Sequence, residues 1–120
     1  MNSILLIEND TILLDNLIEL LELEGYKVKG VSTSGEAEAA IHVLKPYLII
    51  CDENTLNNDS GELIETLRAE SQRNISIIII NSEGGTKRLF EGADIYLEMP
   101  FQEEKLLSSL DYLAGIGKAQ

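Results

Sequence analysis

Two acidic groups stand where a short apolar run gives way to polar sequence: Glu8-Asn9-Asp10 follows Ile4 to Ile7, and Asp52 follows Leu48-Ile49-Ile50-Cys51. If the two runs lie side by side, Glu8, Asp10 and Asp52 converge. Carboxylates brought together repel, which raises the proton affinity of at least one of them unless a cation sits between them. An oxygen-rich cluster of this kind suits Mg²⁺, which keeps several waters and accepts one or two carboxylates. An aspartate beside Mg²⁺ can attack a phosphoryl donor and form an acyl phosphate. Glu8, Asp10 and Asp52 are therefore candidate metal ligands, and Asp52 is the candidate nucleophile. Two further apolar runs end in polar groups, Asn81-Ser82 and Glu98-Met99-Pro100.

Positioning these residues requires that the apolar runs be strands, and the intervening sequence supports this. Ile, Leu and Val cluster in short runs at Ile4 to Ile7, Tyr26 to Val31, Tyr47 to Cys51, Ile75 to Ile80 and Asp94 to Leu97. Between them, apolar residues recur three or four apart, as in Leu13, Leu17, Leu20 and Leu21, then Ala37, Ala40, Ile41 and Leu44, then Leu63, Ile64 and Leu67. That alternation predicts a βα repeat. Gly25 is a stop signal for the first helix. Thr33-Ser34-Gly35-Glu36 has the spacing of a capping box, and Asp59 with Glu62 offers a third helix start. Lys87 to Phe90 gives about one helical turn, and a last helix after Pro100 carries Leu106, Leu107, Leu110 and Leu113. The near-continuous run Ile75 to Ile80 is what a strand covered on both faces should look like. The expectation is five strands and five helices, with ligands beyond the carboxyl ends of the strands where strand order reverses.

The 120 residues carry 9 Lys+Arg against 21 Asp+Glu, a formal charge of −12. That balance argues against direct nucleic-acid binding, which needs a basic surface. Length fits one domain over 1–120, with a core at about 3–113 and a C-terminal tail at 114–120. No apolar stretch approaches the roughly 20 residues of a membrane span. No secretory signal is expected at the N-terminus, and the single cysteine, Cys51, precludes an internal disulfide, so a cytoplasmic location is expected.

From about Ser3 to Leu113 the sequence resembles the receiver domain of two-component response regulators. The resemblance rests on Leu5-Leu6-Ile7-Glu8-Asn9-Asp10, Leu48-Ile49-Ile50-Cys51-Asp52, Gly61, and Gly92-Ala93-Asp94-Ile95-Tyr96-Leu97 followed by Pro100-Phe101. It implies a doubly wound, flavodoxin-like five-stranded parallel sheet in the order 2-1-3-4-5 with helices on both faces. It further implies that Asp52 accepts phosphate from a histidine kinase or phosphotransfer protein, without the domain being an enzyme in its own right. The acidic pair of the family falls on Glu8 and Asn9, its carbonyl ligand on Asn54, and its aromatic switch on Tyr96.

Departures from the family pattern cluster at the site. Asn9 replaces a metal-ligating acid, although Asp10 lies next door. Asn81 stands where a hydroxyl would bond the phosphoryl group, with Ser82 one place late. Met99 replaces a lysine and cannot neutralise a phosphoryl oxygen. Against the family pattern the segment from Asp52 to Gly61 is one residue longer, and that from Asn81 to Met99 is about four residues shorter, roughly one helical turn, which predicts a shortened fourth helix.

These substitutions leave two readings open: a phosphorylatable receiver with a weakened Mg²⁺ site, or a pseudo-receiver whose unmodified surface binds a protein partner. Homodimerisation is compatible with either. Asp10 and Asn9 are equally suited to capping the first helix, and His42 reads as a surface residue. Asp52-Glu53-Asn54-Thr55 is also similar to the nucleophile loop of haloacid-dehalogenase-type phosphatases, which leaves a small Mg²⁺-dependent phosphatase as a remote alternative. A flavodoxin would share the fold, but an acidic loop after the first strand repels a flavin phosphate.

Overall fold

Leu48-Ile49-Ile50-Cys51 and Ile77-Ile78-Ile79-Ile80 are apolar at every position, and a strand with no polar face is stable only when both faces are covered. The computed structural model, which describes residues 3–55, 62–71, 75–81 and 93–118, meets that demand with a single parallel sheet. In chain order the elements are β1 (Ser3–Ile7), α1 (Thr11–Leu23), β2 (Lys27–Val31), α2 (Ser34–Leu44), β3 (Leu48–Asp52), a 3₁₀ turn (Glu53–Thr55), α3 (Glu62–Ser71), β4 (Ser76–Asn81), β5 (Ile95–Glu98) and α4 (Glu103–Lys118). The strand order is β2-β1-β3-β4-β5, as expected, so β2 is an edge strand and the order reverses between β1 and β3.

Side chains of alternate strand residues sort onto two faces. Ile4, Leu6, Leu48, Ile50, Ile78 and Ile80 pack with Leu17 and Leu21 of α1 and with Leu106, Leu110 and Leu113 of α4. Leu5, Ile7, Ile49, Cys51, Ile77 and Ile79 pack with Ala37, Ala40 and Ile41 of α2 and with Leu63, Ile64 and Leu67 of α3. Each fully buried Leu or Ile contributes about 1.5–3 kcal/mol, so the two apolar layers carry the fold.

Local chemistry sets the helix ends. Asp10 caps α1, its Oδ1 accepting from the backbone N–H of Ile12 and Leu13 at 3.0 and 3.1 Å. Past the other end, Gly25 adopts φ +94°, a left-handed turn that a side chain would strain. The capping box at α2 forms: the Glu36 N–H donates to Thr33 Oγ1 at 3.2 Å, and Glu36 Oε1 reaches back to the Ser32 N–H at 3.1 Å. His42 is exposed, as read, and its Nε2 lies 2.7 Å from Glu70 Oε2, joining α2 to α3.

Four of the five strands differ from the sequence expectation in one systematic way: β2 to β5 each start one residue later, and β3, β4 and β5 also end one residue later. Asp52 pairs in register with Ile80, and Asn81 with Glu98. Backbone pairing is indifferent to side-chain polarity, so the ladder runs on past the last apolar residue. Asp52 and Asn81 therefore belong to the sheet and not to the loops that follow it. The expected short helix at Lys87 to Phe90 and the Asp59 cap lie outside the described residues, which hold four α-helices.

At the end of the sheet opposite the carboxyl ends, a clamp that no local pattern announces joins α3 to β4 and β5. Arg68 donates to the Ile75 carbonyl at 2.6 Å and to Asp94 Oδ2 at 3.1 Å, and the same Asp94 oxygen accepts the Ile77 N–H at 2.7 Å.

Candidate functional site

Where β1 ends, its pairing with β2 continues: the Glu8 N–H donates to the Val31 carbonyl at 2.9 Å. The β1–β3 register matches Ile7 with Cys51, so one step further sets Glu8 beside Asp52. Alternation aims both toward the α1/α4 side of the sheet. Glu8 is fully buried and Asp52 is 5% exposed.

Two carboxyl groups in that setting cannot both ionise cheaply. Burial, reinforced by a hydrogen bond with the Asp52 carboxyl and by the charges of Asp52 and Asp10, pushes the Glu8 carboxyl up to about 8. A hydrogen bond from the Asp10 N–H to Glu8 Oε2, 3.0 Å, works in the opposite direction. Glu8 Oε1 is buried with no hydrogen-bond partner. An orphaned carboxylate oxygen next to a second carboxylate is a fit for a hard divalent cation, which would displace the proton and satisfy that oxygen.

Asp52 is oriented by its own turn. Its Oδ1 accepts the Asn54 N–H at 2.8 Å, and its carbonyl accepts the Thr55 hydroxyl at 2.6 Å. Thr55 Oγ1 also lies 3.4 Å from the Cys51 sulfur. Asp52 thus presents a carboxylate held at one oxygen on a tight 3₁₀ turn.

The remaining expected residues divide. Asn9 is exposed, and the Asp10 carboxylate is engaged as the α1 cap, so the described residues contain no group of three acidic, His or Cys side chains placed to hold a metal. Glu8 and Asp52 form the close pair, with Asp10 adding its charge from the helix end. Asn81 is buried, and its carbonyl accepts the Met99 N–H at 2.9 Å. By alternation Asn81 and Tyr96 face the α2/α3 side, two positions apart in register, and Tyr96 packs half-buried on that core. Met99 is half-buried and packs on the opposite, α1/α4 core. Ser82 lies outside the described residues. Sequence reading overlooked Glu53, which is buried at the site, and Thr55, whose hydroxyl three residues after a strand-ending aspartate is a recognisable turn-forming signal.

The model of the response regulator receiver domain matches residues 4–111. The chain belongs to this family. Receiver domains generally hold Mg²⁺ at an acidic pocket and receive signals from histidine kinases or phosphotransfer proteins of two-component systems. A receiver domain protein of Methanospirillum hungatei is similar over 100% of this chain and 99% of its own, with a TM-score of 0.85 and 27% identity. Among curated proteins, the probable transcriptional regulator ycf29 of Porphyra purpurea is 32% identical over 92% of this chain and 56% of its own length. The transcriptional regulatory protein BasR of Escherichia coli is 30% identical over 87% of this chain and 48% of its own. The receiver chain therefore spans about half the length of these curated relatives. No helix among its described residues is long and apolar enough to cross a membrane.

Proposed function

We infer that this receiver domain takes a phosphoryl group on Asp52 and does so with a reduced set of supporting groups. The observation that supports this most is the pairing of Asp52 with a buried Glu8 whose Oε1 lacks a partner. Asn54 holds Asp52 Oδ1 through its N–H, which leaves Oδ2 to attack phosphorus. In transfer from a phosphohistidine the P–O bond to Asp52 forms as the P–N bond breaks, and the departing imidazole nitrogen takes a proton from solvent. Mg²⁺, held by Glu8, Asp52 and the main-chain carbonyl of Asn54, would supply charge neutralisation for the phosphoryl oxygens. Asn81 and Tyr96, which share the α2/α3 face, would carry the change to a partner surface. A cytoplasmic location and a histidine kinase or phosphotransfer partner go with this reading. Its net charge of −12 keeps the domain itself off DNA.

One observation favours a second reading. Met99 packs on the apolar core, so the phosphoryl charge would meet no cation from that position. In that case the domain is a constitutive interaction module whose surface does not depend on phosphate. Titration with fluoroberyllate and Mg²⁺, a phosphoryl mimic, followed by amide NMR separates the two. Saturable shifts at Asp52, Asn81 and Tyr96 are expected. Shifts at Asp52 alone would support the second reading, and no shifts at all would remove Asp52 from the mechanism.

A further inference from the structure

The chain has 9 Lys+Arg, and only three of them, Lys27, Lys29 and Lys45, fall in its first 60 residues. All three line one mostly apolar groove of about 970 Å³ between the edge strand β2 and helix α2, with β1 standing between β2 and the strand that carries Asp52. Its apolar lining includes Val31, Ala40 and Val43. Val43, 86% exposed, adds an apolar side chain to the solvent side of the groove. Lys27 and Lys29 are exposed on the α2 side of β2, and neither is in an ion pair among the described residues. The one acidic residue of the lining, Glu36, is held by the Ser32 N–H and hydroxyl in the capping box.

Lysines on an edge strand discourage pairing with a second copy, because like charges would lie opposite one another. They do not account for an apolar groove with an exposed valine beside them. A basic rim around an apolar floor, on a molecule of net charge −12, is complementary to an acidic segment that also carries apolar side chains. Among the described residues the outer edge of β2 has no strand neighbour in the sheet, so an extended segment can add its own main chain to it. We propose that the β2–α2 groove is a docking site for an extended, acidic and apolar peptide segment of a partner protein. Its carboxylates would meet Lys27 and Lys29, and its apolar side chains would cover Val43. This surface is separate from the phosphoryl site, and the proposal holds whether or not Asp52 is modified.

The probe is a short synthetic peptide of glutamate, isoleucine and valine, titrated into isotopically labelled protein at low and at high salt. A lysine-for-glutamate version of the peptide serves as the control. Saturable amide shifts confined to β2 and α2, weakening with salt, are expected from the acidic peptide only. Lys27→Glu with Lys29→Glu should weaken binding about tenfold or more. Val43→Asp should do the same, and both variants should keep the wild-type unfolding midpoint because these side chains are exposed. Equal binding of the two peptides, shifts centred elsewhere, or no saturable shift would overturn the proposal. So would self-association through β2 in sedimentation, which would make a second copy the occupant.

Discussion

Replacing Glu8 by Gln tests the buried carboxyl pair quantitatively. The folded protein raises the Glu8 carboxyl from an ordinary value of 4.5 to about 8, first by burial and then by the hydrogen bond with Asp52. The folded state therefore binds the proton more tightly than the unfolded chain. The resulting stability is fully present below about pH 4.5 and is lost as pH rises toward 8. Each unit is worth ~1.4 kcal/mol, so the loss is up to about 3 kcal/mol by pH 7 and has a ceiling of about 5 kcal/mol above pH 8. Against a typical domain stability of about 5–15 kcal/mol, that is easily measured. Urea unfolding of wild type in chelator at pH 5, 7 and 9 should show the midpoint falling with pH, and millimolar Mg²⁺ should restore it most at pH 9, where no proton competes. Glu8→Gln, which keeps the shape and removes the charge, should have a flatter pH profile and no Mg²⁺ response. Taking the difference between the two proteins cancels the titrating groups that do not interact with Glu8. Parallel profiles in chelator would refute the assignment of a raised proton affinity to Glu8. Retained Mg²⁺ stabilisation in the variant would remove Glu8 from the metal site.

Three further outcomes are expected. Asn9→Asp combined with Asn81→Thr and Met99→Lys should lengthen the lifetime of the phosphorylated form, read by mass spectrometry against time; an unchanged lifetime would show that these positions do not limit the site. Asp94→Ala removes the acceptor shared by Arg68 and the Ile77 N–H and should cost about 1–3 kcal/mol in urea unfolding without altering phosphoryl labelling. Apparent Mg²⁺ affinity should rise by up to about tenfold per pH unit below pH 8, where one proton must leave Glu8; a pH-independent affinity between 6 and 8 would mean that the metal binds without displacing it.

The two covered faces and the α2 capping box were legible because each follows from short-range pattern, whereas the strand order came with the resemblance to receiver domains. Ile77 to Ile80 can only be a doubly covered strand, and Thr33 with Glu36 needs only a spacing of three. The approach of Glu8 to Asp52 was legible from the strand ends once β1 and β3 were taken as neighbours, which the resemblance implied. Its energetics were not, since the raised proton affinity of Glu8 depends on burial that only the assembled layers create. Asp10 was open between ligand and cap, and the hydrogen bonds to Ile12 and Leu13 show its carboxylate employed as a cap. Strand ends came one residue short at β3, β4 and β5 because apolar runs mark where side chains are buried, whereas backbone pairing continues through Asp52, Asn81 and Glu98. The Arg68–Asp94 clamp spans 26 positions, and the Lys27, Lys29 and Val43 groove joins an edge strand to a helix face. Neither leaves a local signature.

The central claim is that Asp52 accepts a phosphoryl group in a metal-dependent reaction. Intact mass of wild type and Asp52→Ala after incubation with a small-molecule phosphodonor, with Mg²⁺ and with chelator, tests it most directly. One added phosphoryl group is expected in wild type with Mg²⁺ and none in either control. No added mass in folded wild-type protein, or equal labelling of Asp52→Ala, would contradict it.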